Sequence, residues 1–180
     1  MKTNNNENNT AMSVKPLHRG RGWGGSPTAM TESPLPMGEG GGRGRFFSLK
    51  ELTHSLTAQV HSIPNVPTAE AEKNLVRLAT EVLAPLREAW QSPIYITSGY
   101  RSPELNRKVG GTKTSYHLRG MAADITAKSV FYNTALYTEL RILHAGGLIP
   151  LTECYLERQG LYIHVAFDPN NINPQPFFTK

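Results

Sequence analysis

The spacing of apolar residues predicts helices in the first part of the chain that can fold. Ser48 and Glu51 have the spacing of a capping box, which opens a short helix with apolar positions through Leu56. After two prolines, Thr68 begins a long helix over residues 68–90, because its apolar positions recur with the helical period. Pro85 is expected to kink this helix, since proline has no N–H for the helical ladder.

The second part of the chain mixes strand and helix patterns. Alternating or β-branched apolar residues predict strands, and N-caps and glycines bound the helices. The predicted strands cover residues 94–97, 122–126, 154–156 and 161–167, and the predicted helices cover residues 103–109 and 133–144. Residues 111–121 are expected to be a loop, and residues 157–160 are expected to connect a hairpin.

This order of elements predicts an α+β fold: a small single domain in which helices pack against an antiparallel sheet. We assign this domain to residues 45–180. Residues 1–44 differ in composition, because they hold more than half of the chain's 16 glycines and few branched apolar residues. Such a segment cannot bury enough apolar surface to offset the entropy lost on ordering, so we expect a disordered tail.

Composition narrows the class of protein. The single cysteine, Cys154, excludes an internal disulfide and a cysteine-rich zinc module. The net charge of +5 suits an anionic partner such as a nucleic acid or a wall polymer but does not choose between them. No apolar run is long enough to span a membrane, and the N-terminus lacks the apolar core of a secretory signal. We therefore expect a cytoplasmic product, or one that a partner releases to the cell wall.

Three polar residues in or beside predicted strands are the candidates for chemistry. His117 lies in the loop before a strand, Asp124 lies within that strand, and His164 lies within the apolar last strand. Taken alone, His164 could be a core histidine with a hydrogen bond, and Asp124 could cap a strand end. Two histidines and one aspartate together can form a tetrahedral zinc site with one open position, which is typical of catalytic zinc.

The first motif around these residues resembles a known signature. Ser115, His117, Gly120, Ala122 and Asp124 have the pattern S-x-H-x-x-G-x-A-x-D. This pattern resembles the signature of the zinc D-alanyl-D-alanine carboxypeptidase family, which includes phage endolysins and shares a fold with the Hedgehog signalling domain.

Two companion motifs follow the same resemblance over residues 46–170. Residues 98–102, SGYRS, are similar to the family's S-G-[FY]-R-[ST] segment, and residues 162–165, YIHV, are similar to its W-x-H-V/I strand. Tyr162 replaces the usual tryptophan, so an aromatic residue is kept. The resemblance looks closest to the branch of small wall peptidases.

The resemblance implies a role for each motif residue. His117, Asp124 and His164 would bind one zinc ion. Arg101 would hold the substrate carbonyl or its oxyanion, since guanidinium is always charged and donates in a planar fork. The alternative for Arg101 is an ion pair near a turn. Tyr100 would contact the substrate, and Ser115 would support the loop or the substrate; Ser115 lacks the sequence context of a nucleophile.

The general base is predicted less directly. The family places a carboxylate shortly before the last histidine, and Glu157 lies seven positions before His164. Some family members have an acidic residue three positions before that histidine, where this chain has Leu161. Glu153 and Asp168 are the other carboxylates nearby, so the assignment of Glu157 stays open to them.

The predicted function is a zinc-dependent peptidase that acts on peptidoglycan stem peptides at or near D-alanine, either as a carboxypeptidase or as an endolysin-type endopeptidase. We expect it to act as a monomer, without nucleic acid and without a membrane span. One alternative is a wall-binding or assembly module of the same fold that holds metal with little turnover. Another is a nucleic-acid binder that uses the RGRGWGG stretch of the tail.

Overall fold

The computed structural model describes residues 46–171, 174, 176 and 177. The predicted disordered tail, residues 1–44, lies outside these described residues, so the division into a tail and a peptidase domain stays a prediction. Within the described part of the chain, no helix combines the length and the apolar character needed to cross a membrane. The α-helices in this part are α1 (Leu49–Thr53), α2 (Leu56–Val60), α3 (Ala69–Leu78), α4 (Ala84–Trp90), α5 (Pro103–Lys108) and α6 (Val130–Ala145).

The strands form one antiparallel sheet of four strands in the order β1-β2-β4-β3. They are β1 (Tyr95–Ser98), β2 (Ala122–Thr126), β3 (Glu153–Glu157) and β4 (Tyr162–Ala166). The predicted α+β class, with helices and an antiparallel sheet, is confirmed.

The two faces of the sheet differ because successive side chains along a strand point to opposite sides. Ile125, Ile163 and Val165 are fully buried and belong to the main apolar core, together with residues of α3, α4 and α6. This burial of one face against helices removes apolar surface from water and so stabilises the fold. The opposite face carries Asp124 and His164, and the site is built on it.

The long helix predicted over residues 68–90 differs in its middle from the prediction. A π-helical segment, Ala79–Leu83, ends just before Pro85 and separates α3 from α4. The backbone N–H of Ala84 bonds to the carbonyl of Ala79, five residues back. Pro85 has no N–H to continue the ordinary ladder, so the local register widens just before it.

The remaining differences lie at element ends, where side-chain caps compete with apolar periodicity. The capping box of Ser48 and Glu51 is confirmed, but α1 ends at Thr53, and Ser55 caps a separate helix, α2. Helix α6 begins at Val130 rather than at residue 133, because Ser129 accepts a hydrogen bond from its first turn.

Candidate metal centre

A row of four side-by-side residues crosses the sheet on the face opposite the main core. Asp124 pairs with Ser98 on one side and with His164 on the other, and His164 pairs in turn with Tyr155. Residues that are directly opposite in antiparallel strands place their side chains on the same face, within contact. The strand register therefore brings the predicted ligands Asp124 and His164 together.

His117 reaches this row from a 3₁₀ turn, Tyr116–Arg119, inside the segment that the sequence predicted as a loop. Gly120 ends the turn with φ +70°, and a Cβ there would lie 2.2 Å from the carbonyl oxygen of Ala71 in α3. Asn74, also in α3, donates to the carbonyl of Arg119 at 2.9 Å. The turn is thus packed closely on α3, and only glycine fits at its end.

The three predicted ligands converge. His117 Nε2 lies 3.3 Å from Asp124 Oδ1, and His164 Nδ1 lies 2.9 Å from the same oxygen. All three side chains are buried, and their ligand atoms lie within 4.8 Å of one another. This buried group could bind a metal ion, because nitrogen and oxygen atoms at such spacing can reach a single cation.

The hydrogen bonds of the two imidazoles fit that use. His117 Nδ1 lies 2.6 Å from the carbonyl oxygen of Gly99, which can only accept, so the proton belongs on Nδ1 and Nε2 keeps its lone pair. His164 presents Nδ1 to Asp124, while its Nε2 lies 3.4 Å from Glu153 Oε2. Metal-binding histidines ordinarily donate their second nitrogen to a carbonyl or carboxylate, as His117 does to Gly99.

The charge states of the cluster follow from burial and from these contacts. Burial lowers the pKa of His117 and so favours the neutral, ligating form. Burial alone would raise the pKa of Asp124, but its contacts with His117 and His164 more than offset this, and its pKa lies well below the ordinary range. Burial also disfavours a charged His164, yet its hydrogen bond to Asp124 raises the pKa of this imidazole above the ordinary value.

Arg101 binds the second oxygen of Asp124. Its Nη2 donates to Asp124 Oδ2 at 2.6 Å, and its Nε donates to Ser98 Oγ at 2.8 Å. The guanidinium fork is therefore fixed across β1 and β2, and Asp124 keeps Oδ1 for the histidines. Two of the five N–H donors of Arg101 are used in these bonds.

The cluster lies in a cleft of about 410 Å³. Glycines and hydroxyl residues of the segment 109–116 form one part of the wall, and side chains from β3 and β4 form another. The lining includes several predicted site residues: Arg101, Ser115, His117, Asp124, Glu157 and His164. A polar cleft of this volume has room for part of a peptide.

Other predicted site residues and alternatives take different positions. Tyr100 is only 4% exposed and belongs to the apolar core rather than to the residues that line the cleft. Its contact with the substrate stays a prediction. Asp168 is likewise not among the lining residues; it pairs with Arg119 at 3.4 Å. Glu153 and Glu157 both line the cleft, so two of the three candidate carboxylates lie in its wall.

Tyr155 is the residue at this site that the sequence reasoning did not single out. Its ring stacks on that of His164 with centroids 4.7 Å apart and an interplanar angle of 21°. The signal was present in the alternation along β3, because Glu153, Tyr155 and Glu157 are two positions apart and share one face of the strand.

The fold and this cluster fit a metallopeptidase with two candidate ligands, Asp124 and His164, on an antiparallel sheet and a third, His117, in the turn before it. The family model described as Peptidase M15 matches residues 45–166. The chain therefore belongs to this family of metal-dependent peptidases, and the resemblance to zinc D-alanyl-D-alanine carboxypeptidases is confirmed. A search of curated proteins found no match to the chain.

Proposed function

We propose that the protein is a zinc-dependent peptidase that hydrolyses peptidoglycan stem peptides at or near D-alanine. The observation that carries the proposal is the convergence of His117, Asp124 and His164, whose ligand atoms lie within 4.8 Å of one another in a cleft. Membership of the Peptidase M15 family supports both the reaction class and a wall-peptide substrate.

The donor set fits zinc. Neutral imidazole nitrogens and a carboxylate oxygen are ordinary zinc ligands, and three protein ligands leave a coordination position open. His117 would bind through Nε2, His164 through Nδ1 and Asp124 through Oδ1. When bound, zinc supplies Lewis acidity, which polarises a carbonyl group and lowers the pKa of a water molecule.

Glu157 is proposed as the general base. Its position at the end of β3, in the wall of the same cleft, supports a role in taking a proton from the attacking water and returning it to the leaving amine. Its backbone pairs with that of Tyr162, which also lines the cleft, so the carboxylate starts from a fixed strand position.

Arg101 is proposed to donate to the oxyanion that forms on the scissile carbonyl. The guanidinium lines the cleft and is only partly used by Asp124 and Ser98. A donor that is already fixed before the reaction stabilises developing charge without reorganisation. Ser115, in the cleft wall beside His117, is proposed to contact the peptide.

The experiment tests metal content and cleavage together. Purified protein should contain about one zinc ion per chain by elemental analysis, and His117→Ala should remove most of it. Synthetic stem peptides ending in D-Ala-D-Ala, and crosslinked ones, should be cut at a D-alanine bond, with the products identified by mass spectrometry. A chelator should stop the cleavage.

Glu157→Gln separates turnover from metal binding. It should keep zinc and lose activity by about 100-fold or more, in line with the loss of a general base. Glu88→Gln removes the same charge from an exposed position in α4, outside the residues that line the cleft, and should change neither. Zinc binding without any cleavage by the wild type would instead indicate a metal-holding wall module.

A further inference from the structure

We propose that Glu153 is a positioning residue for His164, whose ring it orients by accepting a hydrogen bond from Nε2, so that Nδ1 is presented to the metal. This inference rests on the proposed metal site. It concerns a residue that does not touch the metal and that acts only through the imidazole.

The strand register places Glu153 next to the ring. His164 in β4 lies opposite Tyr155 in β3, so Glu153 is the diagonal neighbour of His164 on the same face. Glu153 Oε2 lies 3.4 Å from His164 Nε2. The Nε2 atom is buried and makes no hydrogen bond of ordinary geometry with the described residues, so Glu153 is the acceptor that the register supplies.

Stacking fixes the plane of the ring but not its orientation within that plane. Tyr155 lies against His164 with ring centroids 4.7 Å apart. A half-turn about the Cβ–Cγ bond would keep this stacking and would exchange Nδ1 and Nε2 for the two ring carbons. A carboxylate beside Nε2 favours the orientation that has a nitrogen at both polar contacts, Asp124 on one side and Glu153 on the other.

The same geometry gives different roles to the two carboxylates of β3, Glu153 and Glu157. The two nitrogens of an imidazole point in divergent directions, so an oxygen that contacts Nε2 lies across the ring from Nδ1. Glu153 is therefore on the far side of the His164 ring from Asp124, whose Oδ1 both histidines approach. From this position Glu153 can orient the imidazole of His164 but is poorly placed to transfer a proton to the substrate. We assign proton transfer to Glu157.

Zinc affinity is the first readout. Competition with a chelator whose zinc affinity is known should show binding about 10- to 100-fold weaker in Glu153→Ala, the range for loss of a carboxylate behind a metal ligand. Glu153→Gln keeps an acceptor oxygen without the charge, so its zinc affinity should lie between those of the wild type and Glu153→Ala. Glu88→Gln, an equal loss of charge in α4, should bind zinc as tightly as the wild type.

The imidazole N–H signals of the zinc-loaded protein are the second readout, by ¹H–¹⁵N NMR of the histidine rings. A hydrogen bond to a carboxylate should move the Nε2–H signal of His164 downfield and slow its exchange with water. Glu153→Ala should abolish both effects. The Nδ1–H of His117, which faces the carbonyl of Gly99, should stay unchanged and reports an intact fold.

The outcomes separate this inference from the proposed function. A wild type that binds no zinc overturns both. Tight zinc binding by the wild type, with an equal affinity in Glu153→Ala, overturns the role of Glu153 alone. Weaker binding with an unchanged Nε2–H signal also overturns it, because the effect would then not pass through His164. If Glu153→Ala does not fold, Glu153→Gln gives the same two readouts.

Discussion

Replacing Gly120 by alanine tests whether close packing on α3 sets the position of the ligand His117. Gly120 has φ +70°, and an added Cβ would lie 2.2 Å from the carbonyl oxygen of Ala71 and 3.1 Å from Leu75 Cγ. Gly147, which follows α6, offers a matched control. It has φ +71°, and an added Cβ there would meet nothing within 4 Å.

The two substitutions share one destabilising effect on the folded state and differ in a second. Both place an alanine in the left-handed region, which costs roughly 1–2 kcal/mol. Gly120→Ala must also relieve a contact with backbone, and overpacking of this kind adds about 1–3 kcal/mol. The free energy of unfolding should therefore fall by about 1–3 kcal/mol more in Gly120→Ala, and Tm should be lower by roughly 4–12 °C than in Gly147→Ala.

The substitution should also weaken the metal site. The 3₁₀ turn must move by about 1 Å to restore an ordinary contact, which exceeds the tolerance of roughly 0.5 Å for a preorganised site. Urea unfolding of the metal-free proteins gives the stability difference, and chelator competition gives the zinc affinity. Equal stability and equal zinc affinity in the two variants would refute the role of this packing.

Three further predictions concern single groups. Ser48→Ala removes the α1 cap and should lower the free energy of unfolding in urea by about 1 kcal/mol. It should leave zinc affinity unchanged, and a loss of zinc affinity would mean that α1 supports the metal site. Burial raises the pKa of the Cys154 thiol, so iodoacetamide should label it only as fast as the protein unfolds, and fast labelling in native buffer would contradict its burial. In the metal-free protein the pKa of His164 is raised, so its protonated form stabilises the fold below pH 6.5. This contribution is lost as the pH rises through the folded-state pKa of His164. The stability difference between wild type and His164→Asn should therefore shrink with rising pH, and a difference that grew would reverse the assigned direction.

Local signals account for the parts of the fold that were predicted correctly. The cap of α1 depends on two residues three positions apart, and the strand 122–126 lies between a glycine-containing turn and a polar segment. Neither requires knowledge of distant contacts. The break between α1 and α2 was missed because apolar spacing runs on through Leu56, while the competing cap at Ser55 is visible only as a hydrogen bond to Ala58.

The three candidate ligands could be predicted from the sequence because they belong to motifs. The contacts around them could not be predicted. Whether Arg101 would face the substrate or Asp124 depends on the pairing of β1 with β2, which the sequence does not give. The stacking of Tyr155 and the contact of Glu153 depend in the same way on the register of β3 against β4. A shift of this register by one residue would move both side chains to the core face.

The buried carboxylate of Asp124 has compensating partners at both of its oxygens. An isolated carboxylate 5% exposed would be strongly destabilising, but Asp124 has Arg101 at one oxygen and two imidazoles at the other. The lowered pKa of Asp124 and the raised pKa of His164 both favour this charged pairing. The same contacts bring the three ligand atoms within 4.8 Å of one another. Removing any one member should therefore disturb the positions of the other two as well as remove a ligand.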